Sequence, residues 1–260
     1  MYRNDEDLEF LETVDSNSLN DLVWVLTHNK DGNERLTEGL TLKDSYKKFY
    51  PDHNKYWQDI AAEVQCFGAN TFATLLRGGK GVLYREVLFD VCDRLKVNYN
   101  KSSSTERIED GLFMKILDDS IEKMSPAELK ELCEELGIKN TSGITPEAAI
   151  VACQELFSLG GFRSYQLAVI VVNAVWRALF GHGLTLLGNA TLTRVFSIFC
   201  GKIGWIITEI WTAIDIAGPA YRITIPAVLQ VAMLRKNQKM KNKGNYQLID
   251  DNEIHNQHEN

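Results

Sequence analysis

The residue types that most often carry chemistry are sparse and widely spaced in this chain. Among the five histidines, the only close pair lies in a polar C-terminal stretch, so no metal site is predicted. His182, in the sequence GHG, could be a ligand or a base, but the glycines on both sides favour a hinge residue. Spacing alone nominates no pair of acids for acid–base catalysis. We therefore predict no catalytic residue and no cofactor, and we do not expect an enzyme.

The sequence RGGKG, at residues 77–81, could suggest a phosphate-binding loop, because glycines let backbone N–H groups approach an anion. The stretch lacks the GxxxxGK[ST] spacing, however, and no apolar strand precedes it. A turn between two helices is the favoured interpretation.

Arg222 is the most informative charged residue of the apolar C-terminal half. It interrupts AIDIAGPAYRITIPAVLQVAMLRK and lies between Pro219 and Pro226. Pro219 allows a helix to begin near residue 220, whereas Pro226 is expected to disturb the interior of that helix. Because a buried guanidinium needs a partner, we predict an ion pair with Asp215. The alternative is an exposed arginine that contacts lipid or protein.

Helical spacing dominates the chain, and the alternation typical of strands is hard to find. The sequences SPAE at residues 125–128 and TPE at 145–147 predict helix starts, since each combines a capping hydroxyl, a proline and a glutamate. Ser18 and Asp21 suggest another capping box near the N-terminus. These patterns predict an all-α, multi-helix bundle with an apolar, glycine-punctuated C-terminal helical domain.

Composition and charge divide the chain unevenly. We predict a two-helix module at 1–42, a helical middle domain at 43–162, an apolar helical domain at 163–235 and a disordered polar tail at 236–260. Of the net charge of −7, residues 1–162 carry −11 and residues 163–235 carry +4. The acidic front half makes nucleic acid an unsuitable partner, whereas the weakly basic, apolar back half could contact an anionic membrane.

The back half is poorly suited to a permanent membrane span. The twelve residues between Arg222 and Arg235 would cover about 18 Å as a helix, against roughly 30 Å of hydrocarbon. A longer apolar stretch has Arg177 at its centre, which costs about 2.5–3.5 kcal/mol on insertion scales. A core hairpin and a reversible membrane contact both stay open. The polar N-terminus and five scattered cysteines favour a cytoplasmic protein with free thiols, and a peripheral position at the inner face of the cell membrane stays open.

Several long motifs resemble one family. YRNDEDLEFL and LTHNKDGNERLTEGLT resemble a short N-terminal module of unknown function. WQDIAAEVQCFGANTFATLLRGGKGVLYREVLFDVCDRLKV, FGHGL and AGPAYRITIPAVLQVAMLR resemble the YaaW family of uncharacterised bacterial proteins. The resemblance extends from Tyr2 to Arg235. This family is grouped with ubiquinol-cytochrome c chaperones, helical proteins that assist assembly of a respiratory membrane complex, which implies an α-helical fold and a non-catalytic, client-binding role.

We therefore expect a chaperone-like or adaptor protein that binds a protein client at or near a membrane. Its main support would be an exposed apolar run at residues 167–172. The alternative is an effector that inserts the 163–235 hairpin and permeabilises a bilayer. The residues expected to contact a partner or membrane are Arg163, Arg177, His182, Arg194, Tyr221 and Arg222.

Overall fold

The structure is a computed structural model, and it describes residues 2–29, 31–35, 39–67, 81–138, 141–185 and 221–242. Within these ranges the chain is α-helical and has no β-strand, which confirms the predicted all-α class. The α-helices are α1 (Ser16–Thr27), α2 (Asp44–Phe49), α3 (Trp57–Phe67), α4 (Tyr84–Arg94), α5 (Thr105–Ile121), α6 (Pro126–Glu135), α7 (Pro146–Leu159), α8 (Gly161–Phe180) and α9 (Tyr221–Asn242). Short 3₁₀ helices cover Glu9–Thr13 and His53–Tyr56.

The helix starts read from local sequence are confirmed at α6 and α7. Ser125 caps α6, and its backbone N–H donates to Glu128 Oε2 at 2.8 Å, completing the capping box. Thr145 caps α7 through the backbone N–H of Ala148. In both helices a proline occupies the first turn, where the missing N–H costs nothing.

The capping box predicted from Ser18 and Asp21 is wrong. Helix α1 begins at Ser16, and its cap is Asp15, whose Oδ1 accepts the backbone N–H of Ser18 at 2.9 Å. Asp21 is buried and accepts hydrogen bonds from the backbone N–H and hydroxyl of Thr185, both near 3 Å. Its carboxylate therefore joins α1 to the loop after α8, a role that local sequence does not reveal.

Helices α8 and α9 form the centre of the bundle. Lys236 Nζ donates to Ser164 Oγ at 3.0 Å, which places the C-terminal half of α9 beside the start of α8. The two helices are therefore antiparallel, and α9 also packs on α1, α4 and α5. A helix enclosed on all sides needs apolar residues around its whole circumference, and α8 has them. Of the two interpretations left open by sequence, the structure shows a bundle centre.

The N-terminal segment is hydrogen-bonded to elements far along the chain. Asp5 Oδ2 accepts the backbone N–H of Tyr84 at 2.7 Å and a side-chain N–H of Gln65 at 3.1 Å. At the other end of the segment, Gln238 donates from Nε2 to the carbonyl oxygen of Thr13 at 2.7 Å. Residues 2–13 therefore contact α3, α4 and α9, while the predicted boundary at residue 42 stays a prediction.

Helix α9 passes through Pro226 and extends beyond its expected end. The helix continues through Pro226, which leaves the Arg222 carbonyl without its usual backbone donor but keeps Ile225 and Ala227 buried. It also continues to Asn242, so residues 236–242 are helical and do not belong to a disordered tail. These turns need no apolar period because their polar side chains, among them Gln238, pair with the N-terminal segment and α5.

Candidate functional site

A cleft of about 200 Å³ opens where α5, the end of α7, the start of α8 and the C-terminal half of α9 meet. It is continuous with a groove of about 400 Å³ between α5 and α7, because Glu106, Asp110, Phe157 and Ser158 line both. The two spaces form one elongated depression on the surface. We refer to it as the α5–α7 groove.

The polar wall of the groove is a row of ion pairs between α5 and α9. Acids at 109 and 110 lie three and four positions after Glu106, so they share one face of α5 with it, and bases at 235, 236 and 239 share the facing side of α9. Glu106 pairs with Lys239, Asp110 with Lys236 and Glu109 with Arg235. The row fixes α9 against α5 and neutralises its own cations, so it does not form a net positive anion site.

The innermost pair belongs to a buried network. Arg235 Nε lies 3.0 Å from Glu109 Oε2, and its Nη2 donates to the carbonyl oxygen of Asp7 at 2.6 Å. The Tyr84 hydroxyl donates to Glu109 Oε1 at 2.7 Å. The guanidinium also lies 4.5 Å from the centre of the Phe10 ring.

Burial and charge shift the protonation equilibria of this network in opposing ways. Burial raises the pKa of Glu109, and Arg235 and the Tyr84 hydroxyl offset part of that rise. Burial lowers the pKa of Arg235, but the Glu109 carboxylate outweighs it, so the pKa of Arg235 is raised and the guanidinium stays charged. Burial and Glu109 raise the pKa of Tyr84, so the phenol stays a donor. The groups satisfy one another, which indicates a structural lock.

The floor of the groove is apolar. Phe157 is almost fully buried and stacks on Phe113, with ring centres 5.9 Å apart and planes nearly parallel. Met114 and Gly111 line the α5 side. An apolar floor beside charged walls is typical of a surface that binds a side chain or a short helical segment.

Three large apolar side chains are exposed near the groove, and one of them, Leu159, lines it. Leu159 is 80% exposed, Val151 is 53% exposed and Phe162 is 43% exposed. Leu159 ends α7, and Gly160 and Gly161 follow with φ of 69° and 71°, a left-handed conformation that glycine adopts without strain. This reversal ends α7 and begins α8 at once, leaving Leu159 and Phe162 at the surface. We call Val151, Leu159 and Phe162 the apolar patch.

The apolar run of α8 is not exposed. Each residue from Leu167 to Val172 is at most 2% exposed. The expectation that this run contacts a client or membrane thereby loses its main support. The physical reason is the position of α8 in the centre of the bundle, where α9 and neighbouring elements cover it. The permeabilising alternative would require this buried helix to leave the bundle.

The predicted contact residues do not form one site. Arg163 lies at the start of α8 and donates to the Leu136 and Gly137 carbonyl oxygens at 2.7 and 3.2 Å, closing the C-terminus of α6. Arg177 is exposed about 20 Å further along α8. Because α9 is antiparallel to α8, Tyr221 and Arg222 begin α9 near that same distal end.

At this distal end, the structure gives two of the predicted residues packing partners. His182 packs edge-on against the Trp24 ring, with centres 5.0 Å apart, and its Nδ1 lies 3.0 Å from the Gly183 carbonyl oxygen. Tyr221 donates its hydroxyl to Asp90 at 3.0 Å, and its pKa is raised by burial and by this bond. The first contact joins the loop after α8 to α1, and the second joins α9 to α4.

The remaining predicted residues are only partly described. Arg222 is half-buried at the start of α9, and Asp215, its predicted partner, lies outside the described residues. Arg194 and residues 77–80 of RGGKG also lie outside them. Gly81 is described: a Cβ there would lie 2.5 Å from the Gln65 carbonyl carbon, so glycine permits this close approach. Within the described ranges, no group of three or more His, Cys, Asp or Glu residues could hold a metal ion.

Sequence reasoning missed the groove. Glu109 and Arg235 are 126 positions apart, and neither belongs to a recognisable motif. The exposure of Leu159 could have been suspected from the double glycine that follows it. Its position beside α5 could not, because that depends on how α5, α7 and α8 pack.

Comparison with known proteins first gives the class. The family model described as ubiquinol-cytochrome C chaperone matches residues 52–229, and a domain of unknown function, DUF3944, matches residues 2–36. The first match covers more than half of an all-α chain, in agreement with the helical, chaperone-like class that the sequence motifs imply.

The relatives then give the particular family. A UPF0174 protein of Helicobacter pylori is 52% identical over 242 residues, covering 93% of this chain and 95% of the relative. Another from the same species is 44% identical over 210 residues, covering 79% and 100%. The UPF0174 protein YaaW of Escherichia coli is 33% identical over 240 residues, covering 90% and 95%. The chain therefore belongs to the UPF0174 (YaaW) family.

No solved structure matches this chain. In the part of the chain that the structure describes, no helix combines the length and apolarity needed to cross a membrane.

Proposed function

We propose that this chain is a non-catalytic, chaperone-like or adaptor protein that binds a protein client at or near a membrane. The observation that carries the proposal is the apolar patch, Val151, Leu159 and Phe162, beside the α5–α7 groove. Scattered exposed apolar residues are ordinary, but Leu159 lines a depression with an apolar floor, and Val151 and Phe162 flank it along the chain. Such a combination favours binding of a protein segment.

The family match supports the same role from a separate direction. The model that matches residues 52–229 is described as a ubiquinol-cytochrome C chaperone, and its span includes the patch and the α5, α7 and α8 sides of the groove, but not the α9 side at residues 235–240. By analogy, the client of this chain would be a subunit of a membrane-bound complex. Action on the cytoplasmic side, at the inner face of the cell membrane, is part of the proposal.

The client-binding surface in this proposal differs from the one expected from sequence. The buried run at residues 167–172 builds the core, while the corner between α7 and α8 supplies the contact. The ion pairs Glu106–Lys239 and Asp110–Lys236 would then keep one wall of the groove in place. A preformed wall lowers the ordering cost of binding.

The test is suppression of client aggregation, followed by light scattering of chemically reduced insulin B chain. The wild-type protein should suppress scattering, and the double variant Leu159→Ser/Phe162→Ser should not. Leu42→Ser is the matched control, because Leu42 is 64% exposed but does not line the groove. Both variants must retain wild-type thermal unfolding. Equal suppression by wild type and the double variant would refute the proposed surface.

A further inference from the structure

One face of α7 presents a row of alternating charge and apolarity. Glu147, Val151, Glu155 and Leu159 are spaced four residues apart, and all four are exposed. Residues at this spacing form a ridge on the helix surface, and such ridges pack into the grooves of a second helix. Twelve residues at 1.5 Å each make the ridge about 18 Å long. We call these four residues the α7 ridge.

The charge around the ridge is strongly negative. Helix α7 contains two glutamates and no lysine or arginine. Residues 101–162, which include α5, α6 and α7, carry twelve acids against six bases, a net charge of −6. On α6, which packs on α7, Glu131 and Glu134 are exposed.

Several bases that border this region already donate to carbonyl oxygens or pair with acids. Arg163, next to the apolar patch, donates to the carbonyl oxygens at the end of α6. Lys236 and Lys239 pair with Asp110 and Glu106. Arg107 lines the groove and is exposed, so its positive charge offsets part of the negative charge there. The net charge of −6 already includes Arg107.

We propose that the α7 ridge binds a basic amphipathic helix of the client. Apolar side chains of that helix would pack on Val151 and Leu159, with Phe162 at one end, and its lysines or arginines would lie opposite Glu147 and Glu155. This inference rests on the proposed client-binding function and adds the chemistry of the client segment.

The same charges disfavour two other occupants. An anionic bilayer would meet carboxylates at every second position of the ridge, which repel its headgroups. A second copy of this chain, docked through the same ridge, would bring a second Glu147 and Glu155 to the interface and no base of α7 to pair with them. A basic helix satisfies both the apolar and the acidic positions.

The probes are two synthetic amphipathic peptides of about 18 residues, long enough to cover the ridge as helices. One is built from Leu, Ala and Lys, and the other has Glu in place of each Lys. Binding to the full-length protein is measured by fluorescence anisotropy at low and high salt. The lysine peptide should bind, the glutamate peptide should not, and Leu159→Ser/Phe162→Ser should weaken binding about tenfold or more.

The decisive variant is Glu147→Lys/Glu155→Lys, which keeps the apolar patch and reverses the charge of the ridge. It should lose the lysine peptide and gain the glutamate peptide. Glu12→Lys/Asp31→Lys is the charge-matched control, because both acids are exposed and lie outside α5–α7. It should bind like wild type. Loss of the lysine peptide in both variants to the same degree would mean general charge attraction and would overturn the inference.

The remaining outcomes separate this inference from the proposed function. If both peptides bind equally and both are lost in Leu159→Ser/Phe162→Ser, the patch binds clients through apolarity alone, and only the basic-helix inference fails. If that variant changes neither peptide binding nor insulin scattering, both proposals fail. Flotation with phosphatidylglycerol vesicles, lost in the same variant, would assign the ridge to a membrane and overturn the inference.

Discussion

Removing one partner of the buried Glu109–Arg235 pair should destabilise the protein far more than removing both. In Glu109→Gln, the guanidinium stays charged and is only 8% exposed, while its carboxylate partner is gone. Leaving one charge of a buried pair uncompensated costs about 3–5 kcal/mol. The Asp7 carbonyl oxygen still accepts from Nη2, which favours the lower end of that range.

The opposite single variant should cost a similar amount. In Arg235→Met, Glu109 keeps the Tyr84 hydroxyl as a donor but loses its cation. Because burial raises the pKa of Glu109 and the variant removes the cation that offsets part of this rise, its carboxyl should take up a proton more readily than in wild type, and this uptake limits the destabilisation. The cost should therefore shrink as the pH falls.

The double variant Glu109→Leu/Arg235→Met removes both charges and keeps most of the buried volume. Its free energy of unfolding should lie within about 1–2 kcal/mol of the wild-type value. The coupling energy between the two sites should therefore be at least about 2 kcal/mol. The assay is urea unfolding followed by circular dichroism. For each variant, the dependence of the free energy of unfolding on urea concentration is compared with that of wild type. Strictly additive single-variant effects would refute the interpretation of the network as a mutually dependent lock.

Three further changes have expected outcomes that follow from other residues. His53 is buried, and burial lowers its pKa from 6.5 to about 4. Between pH 6.5 and pH 4 the unfolded chain therefore binds more protons than the folded chain. The free energy of unfolding should fall by up to about 3 kcal/mol as the pH drops through this range. Urea titrations at several pH values should show this dependence in wild type and a weaker one in His53→Gln. Burial and neighbouring acids raise the pKa of Asp118 to about 6, so its carboxylate is a destabilising charge at pH 7. Asp118→Asn should raise the free energy of unfolding by about 1 kcal/mol at pH 7, after allowance for partial solvent screening. At pH 4 the gain should be close to zero. An equal gain at the two pH values would rule out the charge as the cause. Gly81→Ala would place its Cβ 2.5 Å from the backbone of Gln65, which cannot give way as a side chain can, and should cost about 2–3 kcal/mol. Gly39→Ala, whose Cβ would meet only a flexible glutamate carboxylate at 3.1 Å, is the matched control and should melt close to wild type.

Local signals were enough to predict where several helices begin. Capping depends on residues within one turn, so SPAE at 125–128 and TPE at 145–147 could be interpreted without knowing the fold. The capping prediction at Ser18 failed because the helix begins earlier: Asp15 is the cap and accepts the backbone N–H of Ser18, so Ser18 already lies in the first turn. Local sequence lists candidates for a cap but does not always rank them.

The position of α8 could not be predicted, because two environments demand the same pattern. A helix in the centre of a bundle and a helix in a membrane both need apolar residues on every side. The polar residues of α8 distinguish the two environments. Gln166 and Asn173 are buried, and Asn173 Oδ1 accepts the backbone N–H of Leu184 at 3.1 Å, a bond that depends on the loop following the helix.

The end of α9 illustrates a different limit. A polar helix without apolar periodicity looks disordered when only its own residues are considered. Lys236, Gln238 and Lys239 are ordered because Asp110, Thr13 and Glu106 lie opposite them. Each of those partners is more than one hundred residues away in sequence. Stability that arises entirely from distant partners leaves no local signature.

Contacts between residues distant in sequence also join the N-terminal segment to the helices. A separate domain model matches residues 2–36, yet this segment supplies hydrogen-bond acceptors to buried groups elsewhere: Asp5 to Tyr84, and the Asp7 carbonyl oxygen to Arg235. Buried donors that lose their acceptors carry the full desolvation cost. Since Arg235 also holds Glu109, and Glu109 lines the groove, the N-terminal segment stabilises the wall against which the proposed client segment would bind. Under the proposed function, its contribution to client binding would therefore run through Arg235 and would require no contact of its own with the client.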